Sequence, residues 1–174
     1  RNNKFANSGI VVEINIDKDI PKYDQFGPLK GLEYQKNLER LAFTAGGRTQ
    51  TAPAQRLVDF VDGKLSSNLN ETSYQPGFNS ATMHSLLPKL IGSRLRKGFE
   101  AFGRKMHGYY TNEANIVGVE SRTSSPVNIP RKENLEHPEI KGLFPCGEGG
   151  GYAGGIVSAA MDGERCAEAA IELL

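Results

Sequence analysis

Residues Gly147–Gly155 read GEGGGYAGG, and six of these nine positions are glycine. Before them, Leu143–Cys146 is a short apolar run that reads as a strand; after Gly155 the sequence reads as one helix to the C-terminus. Glycine permits φ > 0 and lets a ligand come close to the backbone. A tight strand-to-helix turn needs one or two glycines, and this loop carries more. The first amides of the following helix lack intrahelical partners and lie at the positive end of its dipole, which suits a phosphate or another anion. The loop is therefore expected to contact a ligand, the plain alternative being a tight turn alone.

Gly149, Gly151 and Gly154 formally satisfy G-x-G-x-x-G. A dinucleotide fingerprint also needs a second parallel strand after the helix, ending in an acidic residue near the ribose. The sequence stops at Leu174 while still helical, and no Lys-Ser/Thr pair makes the loop a Walker A element. On the helix, Ile156, Ala159, Ala160, Gly163, Ala167, Ala170 and Leu174 are expected to face a sheet, with Asp162, Arg165 and Glu172 turned away. The last thirty or so residues thus read as a final strand, glycine turn and closing helix of an α/β sheet whose other strands lie outside them.

Working back towards the N-terminus, Ser8–Asp17 (SGIVVEINID) is β-branched and partly alternating, and reads as a strand. A loop punctuated by Pro21, Gly27 and Pro28 follows. Gly31–Gly46 reads as a helix with Tyr34, Leu38, Leu41 and Ala45 on one face. A short helix is predicted from Pro53, which suits a first helical turn, to Gly63. Ser66–Ser80 reads as a polar surface loop, and Ala81–Leu87 as a short helix broken by Pro88. The helix from Pro88 to Arg104 turns Leu87, Ile91, Leu95, Phe99 and Phe102 inward. Lys89, Arg94, Arg96 and Lys97 then form a basic face, read as solvated. Ile116–Arg122 reads as a strand that Val127–Arg131 can pair with, Pro126 and Pro130 restricting the pairing to a sheet edge.

A near-neutral formal charge of +1 gives no global field for nucleic acid or anionic membranes. No apolar run approaches the length of a membrane span. Two cysteines, Cys146 and Cys166, make no disulfide framework and have no metal-ligand spacing. They fit a reducing cytoplasm and read as small buried residues, with a redox role for Cys146 the alternative. No metal site is read. The start at Arg1, without an initiator Met or an apolar signal region, leads to the expectation of a piece of a longer protein. Arg122-Thr123-Ser124-Ser125-Pro126 is a second candidate site, since its guanidinium, hydroxyls and amides suit flavin or an anionic substrate, Arg122, Thr123 and Ser124 being the substrate-side candidates; a capped turn is the alternative. The three histidines, His84, His107 and His137, form no readable triad.

The run 142–170, GLFPCGEGGGYAGGIVSAAMDGERCAEAA, closely resembles the C-terminal signature of uncharacterised bacterial FAD-dependent dehydrogenases, glutathione-reductase-like flavoproteins. ANSGIVVEI, FGPLKGLEYQ, APAQRLVDF, AFGRKM and VESRTSSPV resemble the same family, so the likeness runs through nearly the whole chain. The resemblance implies a mixed α+β arrangement. Residues 1–125 would be a helix-rich middle, substrate-side domain with a few strands, and 126–174 the return segment that closes an FAD-binding domain.

It also implies roles. Gly147-Glu148 matches the element whose carboxylate accepts from the ribityl chain, and Gly149, Gly150, Gly151, Gly154 and Gly155 pass close to pyrophosphate and ribityl. The amides of Gly154, Gly155 and Ile156 would face the flavin N1/O2 edge. Tyr152 packs against flavin or against a neighbouring domain. The implied cofactor is FAD, bound weakly or not at all by these residues alone. The implied partners are the N-terminal FAD-binding half of the same protein and a small-molecule substrate, in a hydride- or electron-transfer enzyme. The competing reading is a stand-alone anion- or nucleotide-binding or interaction module without redox activity.

Overall fold

The computed structural model describes every residue except Arg1, Asn3, Thr123 and Leu174. The fold is mixed α+β, with one small sheet among the described residues. In chain order the elements are α1 (Ile16–Asp19), a 3-10 segment (Pro21–Leu29), α2 (Lys30–Ala45), β1 (Ala52–Arg56), α3 (Leu57–Asp62), β2 (Phe78–Ser80), α4 (Met83–Leu86), α5 (Lys89–Lys105), β3 (Asn115–Val117) and α6 (Ile156–Ile171). The chain forms two compact units. The first holds residues 1–19 and 36–119; the second holds 20–35 and 120–174, so the boundary falls within α2.

The first unit is built around β1. It pairs in parallel with β2 and antiparallel with β3, giving the order β2-β1-β3. Pro53 lies in this central strand rather than opening a helix. It is tolerated because it sits where the β1/β3 ladder ends. There only its carbonyl is used, accepting from the Gly118 amide at 3.4 Å. The core gathers Leu38, Leu57, Phe60, Met83, Leu87 and Phe99, with the Phe60 and Phe99 rings edge to face at 5.9 Å. The apolar face of α5 is the one its periodicity predicts, since Ile91, Leu95 and Phe102 also pack against this core. The α2 face is rotated from expectation: Leu38 and Ala42 are buried, whereas Leu41 is exposed.

The basic face of α5 is not simply solvated. Arg94 donates to the Glu13 carbonyl at 2.7 Å and pairs with Asp19, and Arg96 lies over the Phe60 ring at 5.8 Å. Buried polar groups are linked to one another. Gln55, fully buried, donates to the Lys64 carbonyl at 2.5 Å and to His84 Nδ1 at 2.8 Å. Ser66, in the segment read as surface loop, is buried and donates to Asp59 at 2.7 Å.

Three stretches read as strands carry no ladder. Ser8–Asn15 has no regular structure, and α1 begins at Ile16. The pairing expected for Val127–Arg131 is absent, since those residues bond to the glycine loop instead. Leu143–Cys146 is irregular as well, because among the described residues no strand lies alongside to pair with it. The second unit therefore has helical and loop structure and no sheet of its own among the described residues.

Candidate functional site

In the second unit the glycine loop folds back onto residues 125–131. The Ile129 amide donates to the Gly150 carbonyl at 3.1 Å, and Asn128 Nδ2 to the Gly151 carbonyl at 3.1 Å. Ser125 Oγ donates to the Val127 carbonyl at 2.7 Å and reaches the Gly149 carbonyl at 3.4 Å. Within the loop, Tyr152 N donates to Gly147 O and Gly151 N to Glu148 O, each at 3.0 Å.

The glycines divide into two sets. Gly147 has φ 65, and Gly151 has φ 85, both left-handed. A Cβ on Gly151 would lie 2.7 Å from the Val127 carbonyl oxygen, and one on Gly150 would lie 3.0 Å from the Cys146 backbone. These three are required by the fold. Gly149 and Gly154 are different: a Cβ at either meets nothing within 4 Å, and neither has a positive φ. A Cβ on Gly155 meets only Ser158 Oγ at 3.4 Å.

A buried ion pair anchors the loop. Asp162, read as turned away from the packing face, is 1% exposed. Arg131 grips it with Nη2–Oδ1 at 2.8 Å and Nη1–Oδ2 at 3.0 Å, and Arg165 adds a contact at 3.0 Å. Oδ2 also accepts the Gly147 amide at 2.9 Å, so the helix side chain fixes the first residue of the loop. These bonds, led by Arg131 and the Gly147 amide, push the Asp162 pKa down to about 2. Arg131 further donates to the Pro145 carbonyl at 3.0 Å and stacks over the Tyr152 ring at 3.6 Å. Tyr152 OH donates to the Ile129 carbonyl at 2.6 Å, so its hydroxyl and one ring face are engaged inside the unit.

The remaining candidates are placed as follows. Glu148 is exposed, as are Gly149, Gly154, Gly155 and Ile156. The Gly155 amide donates to Ser158 Oγ at 3.1 Å, which removes it from the set of amides expected to face a ligand. Arg122 donates its amide to Glu120 Oε1 at 3.2 Å, Ser124 is exposed, and Thr123 lies outside the described residues. Within this candidate stretch the Ser125 side chain reaches the loop, at the Gly149 carbonyl. Cys166 is buried, with its thiol pKa raised by burial, but Cys146 is exposed, against the expectation of two buried cysteines. Among the described residues no group of His, Cys, Asp or Glu could hold a metal ion, and no helix is long and apolar enough to cross a membrane.

Sequence reasoning missed Arg131, Asp162 and Asn128, whereas Ser125 lies within the second candidate stretch. The available signal was an aspartate on a helix rich in small residues, Ala159-Ala160-Met161-Asp162-Gly163, where a carboxylate needs a partner if that face is buried.

On the α6 face expected to meet a sheet, Ile156 is 92% exposed and Ala160 and Ala167 are exposed, whereas Ala159, Gly163 and Ala170 are half-buried. Beside that face Val157 is 72% exposed, and Met161 and Ile171 are exposed too. Leu174 lies outside the described residues.

The fold and site define an α+β protein that presents an anchored glycine loop at the start of a helix. Residues 1–123 match the family described as FAD-dependent protein, C-terminal domain-like, and the chain belongs to that family. It is 39% identical over 169 residues to an uncharacterized protein of Clostridium beijerinckii, an alignment covering 96% of this chain. The chain spans 31% of that relative's length. The glycine loop lies beyond the residues matched by the family model.

Proposed function

We propose that the glycine loop and the start of α6 form the ribityl- and flavin-facing part of an FAD site in a longer, glutathione-reductase-like oxidoreductase. The observation that carries this reading is the open pair Gly149 and Gly154. Neither backbone conformation nor internal packing calls for glycine there, whereas a ligand lying against the backbone does. Residues Gly147, Gly150 and Gly151 shape the turn and Arg131–Asp162 holds it. Glu148, exposed beside them, is suited to accept hydrogen bonds from ribityl hydroxyls. The amides opening α6 supply the positive end of a sixteen-residue helix to a reduced, anionic ring, Gly155 excepted. FAD, when bound, supplies the hydride- or electron-transfer chemistry itself.

The proposed partner is the remainder of the same polypeptide. Ile156, Val157, Met161 and Ile171 form an apolar surface on α6 of the kind that closes against a sheet. A small-molecule substrate is proposed to approach the Arg122–Ser124 side, where a guanidinium suits an anionic group.

Glu148→Gln in the full-length protein tests the reading. It keeps shape but weakens acceptance from the hydroxyls. Retained flavin per polypeptide should fall by roughly tenfold in affinity, the scale of one charge-assisted hydrogen bond. Unchanged flavin affinity would remove Glu148 from the site, and a full-length protein purified without any affinity for flavin would remove the site.

A further inference from the structure

In the first unit, Ile10–Asn15 alternates strictly in burial. Ile10, Val12 and Ile14 are half-buried, whereas Val11, Glu13 and Asn15 are exposed, Val11 at 70%. That period of two belongs to a β-strand with one face on a core, and Ile10 packs against the core cluster. Yet no residue from Gly9 to Ile14 makes a backbone–backbone hydrogen bond among the described residues.

The segment has definite limits. At its C-terminal end Asn15 accepts the amides of Asp17 and Lys18 on its side chain at 3.1 Å each, and its own amide goes to Asp19. This caps α1 and ends the alternating segment. On one side the Glu13 carbonyl accepts from Arg94 Nη1 at 2.7 Å. Successive residues of a strand direct their backbone groups to opposite edges. The groups of Val11 and Glu13 therefore face the Arg94 side, and those of Ile10, Val12 and Ile14 face the other edge. That second edge has nothing paired to it among the described residues.

We infer that Gly9–Ile14 is a docking edge for a β-strand supplied by the part of the same protein outside these residues. Strand addition joins backbone groups along an exposed edge and reads alternate side chains for register. Five or six residues is the usual length of such a strand. The chain spans 31% of the Clostridium relative, which leaves ample polypeptide to supply the partner. The inference rests on the proposed function only in requiring that further polypeptide. Flavin content, read from absorbance in the same sample, tests the cofactor site separately.

The test is residue-resolved amide hydrogen exchange on the full-length protein. A benzoylphenylalanine photocrosslinker at the exposed Val11 is used in parallel. The Val12 and Ile14 amides should exchange slowly, roughly 100-fold below Val11 and Glu13. This pattern should not vary with protein concentration, and the crosslink should form within one polypeptide to a segment outside the 174 residues. Uniformly fast exchange from Ile10 to Ile14 would overturn the inference. So would protection that grows with concentration together with crosslinks between molecules, which would assign the edge to a second copy.

Discussion

Arg131 holds Asp162 in a two-pronged, buried contact, with the guanidinium and carboxylate planes joined at 2.8 and 3.0 Å. Through Asp162 Oδ2 the same contact reaches the Gly147 amide at 2.9 Å. A helix, the irregular segment at 131 and the first residue of the glycine loop are thereby fixed to one another. The second unit has little apolar interior, so this pair bears much of its definition: Cys166 and Asp162 are the α6 side chains that are buried.

Removing one partner should therefore be severe. Asp162→Ala leaves a buried guanidinium uncompensated and should destabilise the unit by about 3–5 kcal/mol. Arg131→Lys keeps the charge but loses the fork and the stack on Tyr152, and should cost about 1–3 kcal/mol. Denaturant unfolding followed by tyrosine fluorescence checks both. An effect below about 0.5 kcal/mol for Asp162→Ala would show that the pair does not hold the loop.

Acid should undo the pair in a defined window. The Asp162 pKa in the folded protein is about 2, below the ordinary 3.8. Stability from this group is complete above the unfolded pKa and is lost as pH falls through about 4 towards 2. The thermal midpoint should show a steep acid limb there that Asp162→Asn flattens.

A second titration should appear at higher pH in the first unit. Burial, with Arg96 nearby, lowers the His84 pKa from its usual 6.5, and Nδ1 accepts from Gln55 at 2.8 Å, which suits the neutral ring. A histidine held neutral when folded takes up a proton more readily when unfolded. Its contribution is thus full above about 6.5 and declines as pH falls below it. His84→Gln should remove the part of the pH dependence that sets in as pH falls below about 6.5, and leave the more acidic limb of Asp162 in place.

The two cysteines should differ in reactivity. Cys146 is exposed, whereas Cys166 is buried beneath the Pro145 carbonyl with a raised thiol pKa. A thiol reagent at neutral pH should label Cys146 first, with Cys166 following only on unfolding. Mass spectrometry of the partly labelled protein checks the order.

What the sequence disclosed and what it hid follow physical lines. The α5 core face was legible, because Ile91, Leu95, Phe99 and Phe102 recur at helical spacing and all meet the core. Ser8–Asp17 was misread as a paired strand, because β-branched alternation signals a half-buried face and not a ladder: the alternation of Ile10–Ile14 survives in burial, but no ladder forms among the described residues and α1 begins at Ile16. Pro53 was misread because a proline after a polar turn resembles a helix start. Its place at a ladder end depends on β3, over sixty residues later. Asp162 was misread because a charged residue on a helix is ordinarily outside, and its burial is set by Arg131, distant in sequence. The glycine loop was found by density alone. Its division into structural and open glycines needed the positions of Val127 and Asn128.

The central claim is that Gly149 and Gly154 are glycine for a ligand, whereas Gly151 is glycine for the fold. The most direct measurement places Gly149→Val, Gly154→Val and Gly151→Val separately in the full-length protein. Flavin affinity and the melting temperature of the flavin-free form are then read together. The account predicts that the first two variants lose flavin affinity at least roughly tenfold with an unchanged flavin-free melt. Gly151→Val should lower the melt, since its Cβ would press on the Val127 carbonyl at 2.7 Å. Full flavin affinity in both Gly149→Val and Gly154→Val would contradict the account.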